Sequence, residues 1–118
     1  MKKSAVLNVN GQEYTFSFNN RSLAIMERSI GRSILSILSG TQAAIIRDMT
    51  IDVTAAGIKY GLQAIENRDP YDVMDEICSA GGTVDQINAS IIEGWIKTGL
   101  FLKWAEPEKT EKKPTEKK

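Results

Sequence analysis

The first apolar positions along the chain recur with a period of two. On either side of Asn10-Gly11, Leu7, Tyr14, Phe16 and Phe18 fall on one face, while Asn8, Glu13, Thr15 and Ser17 fall on the other. Asn-Gly is the dipeptide that a type I′ turn demands, because both central residues need positive φ. The pattern therefore predicts a β-hairpin over residues 4–18, with Val9 opposite Gln12, Leu7 opposite Tyr14 and Ala5 opposite Phe16. A lone hairpin is marginal in water, so its apolar face must be covered by helices further along the chain.

After Asn19-Asn20 the period lengthens. Asn20 is placed to cap a helix, and Leu23, Met26, Ile30, Ile34 and Ile37 recur at helical spacing. Gly31 interrupts that face, so the segment either breaks in two or bears about 1 kcal/mol for an internal glycine. Ser39-Gly40-Thr41 closes it, and residues 42–50 leave the choice between loop and short helix open. Ile51, Ala55, Ile58, Leu62 and Ile65 form a second helical stripe. Pro70 suits the first turn of a short helix that runs from Tyr71 to about Ser79 and ends at Gly81-Gly82. Thr83 with Gln86 reads as a capping box for a last helix. Its main stripe is Val84, Ile87, Ile91, Trp95, Thr98 and Leu102, widened by Ile92, Ile96 and Phe101. After Trp104 the chain turns to Lys, Glu, Thr and Pro, a composition that cannot offset its ordering entropy, and a disordered tail is expected over 105–118. The fold class expected is α+β and mainly α: one domain over 1–104, with an N-terminal hairpin packed on about four helices.

Charge narrows the choice of partners. Fifteen basic residues balance fifteen acidic ones, which gives no electrostatic push toward nucleic acid or an anionic membrane. The most apolar-rich stretch, Val84 to Trp104, carries Asp85, Glu93, Lys97 and Lys103, so no membrane span is expected. The basic start is not followed by a continuous apolar run, and no signal peptide is read there. With Cys78 as the single cysteine, no internal disulfide can form, in keeping with a cytoplasmic location.

Candidate chemistry is sparse. The chain contains no histidine, which removes the commonest general base and metal ligand. Gly81-Gly82-Thr83 lacks the lysine and the preceding strand of a phosphate-binding loop and reads as a helix stop followed by a cap. Asp69, Asp72, Asp75 and Glu76 do not have calcium-loop spacing and read as acidic residues favoured early in a helix. Cys78 reads as a small buried apolar residue. Catalytic residues, cofactors and metals are therefore not expected. The two tryptophans remain. Trp95, in mid-stripe, weighs toward the core, and Trp104, beside Phe101 and Leu102, toward an interface.

The order of these features is informative. The hairpin with NGQEYTFSFNNRSLAIMERSIGRSILSIL, the helix TIDVTAAGIKYGLQ, the acidic DPYDVMDEI, the Gly-Gly break and the last amphipathic helix together resemble the tail assembly chaperones of long-tailed bacteriophages, prophages and gene transfer agents. The resemblance spans about Val6 to Trp104. It implies a non-catalytic protein that coats the long helical tape-measure protein, helps recruit tail-tube subunits, self-associates, and is absent from the finished virion. A groove that accepts an amphipathic helix would suffice, with many copies adding avidity. The residues expected to meet a partner are Ile91, Ile92, Trp95, Phe101, Leu102 and Trp104. Two rival readings stay open: a structural virion component such as a tail-tube or head-completion subunit, and a small nucleic-acid-binding regulator, which the neutral charge disfavours.

Overall fold

A computed structural model describes residues 4–101. Strands β1 (Ser4–Val9) and β2 (Gln12–Ser17) form an antiparallel hairpin in the expected register, from Val9 opposite Gln12 to Ser4 opposite Ser17. Asn10 and Gly11 take φ of 52° and 84°, the left-handed pair a type I′ turn needs. Ala5, Leu7, Val9, Tyr14 and Phe16 are buried beneath the hairpin, whereas Val6, Asn8 and Glu13 face solvent.

Six helices come next among the described residues, more than the four or so expected: α1 (Asn20–Ile30), α2 (Ile34–Leu38), α3 (Gln42–Asp48), α4 (Ile51–Gly61), α5 (Pro70–Ser79) and α6 (Val84–Lys97). The fold is α+β and mainly α. The extra helices come from the two points the sequence left open. Gly31 is the left-handed C-cap of α1, at φ 75°, so the Leu23–Ile37 face is split between α1 and α2. Residues 42–48 form a helix of their own, capped by Thr41. The cap of α1 is Asn19 rather than Asn20, in a reciprocal capping box with Ser22.

The α4 stripe is shorter than expected. Thr50 caps the helix, Ile51 at its first position is 51% exposed, and the helix stops at Gly61. Leu62 then turns extended and bridges to Phe16, and the Gln63 N–H donates to the Thr15 carbonyl at 2.8 Å. Leu62 is thus buried as a strand-like neighbour of β2, not as a helical stripe residue.

Helix α6 lies under the hairpin, mostly under β1, and α4 packs between α6 and α1. Glycines make these contacts close: a side chain at Gly57 would strike Ile91, and side chains at Gly61 and Gly94 would press on the Phe18 ring from two sides. Thr54, fully buried, ties α4 to α6. Its Oγ1 lies 2.5 Å from the Asn88 side-chain oxygen and 3.1 Å from the Thr50 carbonyl. Trp95 closes the core edge-on to Phe18, with ring centroids 6.4 Å apart.

Candidate interaction surface

The residues expected to meet a partner divide three ways. Ile91 and Trp95 are fully buried and serve the core. The physical reason is that α6 turns its main stripe toward α4 and the hairpin, so Ile91 fills the space over Gly57 and Trp95 meets Phe18. In this fold neither residue presents a surface, which corrects that part of the expectation. Ile92 and Phe101 are partly buried and pack against the same core. Leu102 and Trp104, like the expected tail, lie outside the described residues. Helix α6 itself ends at Lys97, where Thr98 caps it and Gly99 takes a φ of 82°, so the expected stripe from Val84 to Leu102 is not one continuous helix.

Leu100, beside Phe101, is 51% exposed, and further exposed aliphatic residues lie on α2 and α3. Leu35 on α2 is 36% exposed, and Ile46 on α3 is 65% exposed. Helix α3 has no buried residue at all; Ile45 alone among its side chains packs partly on the core. The helix touches α2, and an exposed Arg32–Asp48 ion pair at 3.3 Å fastens its far end. Seven residues with one cap and two surface ion pairs at Asp48 hold a helix weakly, because most helical stability in proteins comes from a packed face. The signal in the sequence was faint. Ile45-Ile46 sits between the breakers Gly40 and Thr50, in a stretch too short to show a period.

Beside this pair an open cleft of about 680 Å³ runs between α1, α4 and the start of α5. Several of its polar residues are already engaged with one another. Arg32 pairs with Asp48, the Tyr71 hydroxyl donates to Asp52 at 2.7 Å, and the Asp69 carboxylate accepts the Tyr71 N–H as the cap of α5. The Asp52 carboxylate that accepts its proton holds the Tyr71 hydroxyl above the usual phenol range. The Tyr71–Asp52 pair is the one hydroxyl–carboxylate contact described among the residues lining the cleft. The cleft is an open groove lined by both acidic and basic side chains.

Two more residues of the acidic cluster have structural roles. Asp72 lies in the first turn of α5, where the helix dipole favours it. Glu76 accepts from the Tyr14 hydroxyl at 2.7 Å and from Arg68, and so ties α5 to β2. Burial, then the Glu76 bond, pushes Tyr14 up to about 12, and the Tyr14 and Arg68 donors hold the Glu76 carboxyl below its usual range. Cys78 is exposed on the outer face of α5, contrary to the expected burial, because Val73, Met74 and Ile77 take the inner face. Among the described residues no group of carboxylates and thiols could hold a metal, and no helix is long and apolar enough to cross a membrane. No protein-family model, no curated protein and no solved structure matches the chain.

Proposed function

We propose that the chain is a tail assembly chaperone: a non-catalytic protein that holds the tape-measure protein and helps recruit tail-tube subunits. The observation that carries the reading is α3, a helix with no buried residue and with Ile46 65% exposed, next to an α2 that leaves Leu35 exposed. A seven-residue helix with this little packing gains most by laying its apolar side against another helix. The order of hairpin, helices and Gly-Gly break that resembles the chaperone family supplies the identity of that other helix. Balanced charge fits a partner bound through apolar contact rather than through phosphates.

The test is co-expression with the long helical protein of a tail gene cluster, then pull-down and size exclusion. A chaperone keeps that protein soluble and co-elutes with it. Leu35→Asp and Ile46→Asp, at exposed positions, abolish the co-elution and leave the far-UV spectrum unchanged. A partner equally soluble alone, or co-elution indifferent to both substitutions, sinks the proposal. Recovery of the chain from purified particles would instead favour a virion component.

A further inference from the structure

The two edges of the hairpin are treated differently. In a hairpin closed by a two-residue turn, the flanking pair Val9–Gln12 is hydrogen-bonded, and bonded pairs alternate with unbonded ones from there. Val9, Leu7 and Ala5 therefore direct their N–H and C=O groups at β2, while Asn8, Val6 and Ser4 direct theirs outward. The same parity on β2 sends the backbone of Glu13, Thr15 and Ser17 outward. The bond from Gln63 N–H to the Thr15 carbonyl and the Leu62 bridge cover that edge. Among the described residues nothing covers the edge of β1. No hydrogen bond from another described residue reaches the outward backbone groups of Ser4, Val6 or Asn8.

Exposed edges are usually blunted by a charge, a proline or a bulge. Strand β1, Ser-Ala-Val-Leu-Asn-Val, has no charge and no proline, and its one-to-one register with β2 leaves no bulge. Val6, at the middle of the edge, is 44% exposed, a β-branched side chain on the open face of the sheet.

We propose that this edge binds the same edge of a second copy, antiparallel about Val6, joining two hairpins into one four-stranded sheet. The symmetry argues for a second copy rather than a foreign strand. A two-fold axis at Val6 places Val6 opposite Val6 of the other copy and Ser4 opposite Asn8, so all the outward residues fall in bonded pairs at once. A strand without charge brings no like charges together when paired with itself, and the two Val6 side chains cover each other. The inference stands on the edge geometry and is independent of the tape-measure reading.

Sedimentation equilibrium on the purified chain tests it, with Val6→Pro and Val6→Thr as variants. Proline removes an N–H that makes no bond to β2, and threonine keeps both the N–H and the β-branched shape. The wild type and Val6→Thr should dimerise. Val6→Pro should raise the dimer Kd about 30-fold, two hydrogen bonds being lost by symmetry, with its helical spectrum unchanged. Should Val6→Pro misfold, amide exchange in the wild type decides: the Val6 and Asn8 N–H groups slow as concentration rises. A wild type that stays monomeric, or a Val6→Pro dimer of undiminished affinity, overturns the proposal. So do edge amides that slow only when a foreign extended peptide is added.

Discussion

The contact between Gly61 and Phe18 sets the approach of α4 to the hairpin, and Gly61→Ala tests it. A β-carbon at Gly61 would stand 2.6 Å from Phe18 Cε1 and 2.7 Å from Cε2, with Cζ closer still. The ring cannot swing aside. On its other flank the Gly94 backbone comes so close that a β-carbon built there would fall 3.0 Å from Cδ2 and Cε2, and Trp95 meets the ring edge-on at 61°. Phe18 is 6% exposed, so no outward rotamer relieves the clash without exposing a buried aromatic. Overpacking of this kind costs about 1–3 kcal/mol, against which alanine returns at most about 1 kcal/mol of helix propensity at the last helical residue. The net expectation is a loss of about 2 kcal/mol, read as a lower urea midpoint at constant m value. Phe18→Leu shortens the offending group, so the double variant should be less destabilised than the sum of the singles by about 1 kcal/mol. Gly61→Ala as stable as the wild type, or a strictly additive double variant, would refute the packing argument.

Other outcomes rest on single contacts. The Glu76 carboxyl is held low by its donors, so its contribution is present above the ordinary carboxylate range and lost as pH falls through it. Tyr14 is raised from 10.0 to about 12, so its contribution is full below pH 10 and fades as pH rises toward 12. Thermal melts should therefore fall at both extremes, and Tyr14→Phe should flatten the alkaline fall. The Trp95 indole N–H is buried with no partner among the described residues. Trp95→Phe loses no hydrogen bond, so the smaller ring should cost no more than about 1 kcal/mol, against about 3–5 kcal/mol for Trp95→Ala, by chemical denaturation. Ala64 holds a φ of 63°, so Ala64→Gly should stabilise the chain by up to about 1 kcal/mol.

What was legible in the sequence was whatever a local rule decides. The Asn10-Gly11 turn and the period of two gave the hairpin its register, and Thr83 with Gln86 gave α6 its start. Periodicity failed where tertiary contacts end an element. Leu62 and Ile65 keep helical spacing after Ile58, but the chain leaves the helix at Leu62 because Phe16 and Thr15 offer it a strand-like partner. Thr98 and Leu102 likewise continue the α6 stripe past a helix that Gly99 stops. The candidate surface was harder still. A stripe residue is apolar whether it faces the core or a partner, so Ile91 and Trp95 could not be told from contact residues until α6 had a position. Leu35 and Ile46 went unmarked because helices of five and seven residues are too short to reveal which face is left over.

The most direct measurement is amide hydrogen exchange across the whole chain, alone and with the tape-measure protein. If α2 and α3 hold that partner, amides over residues 34–48 exchange fast in the free chain and slow sharply in the complex, while those of α4 and the core of α6 change little. An unchanged α2–α3, or protection confined to other elements, would contradict the proposed holding surface.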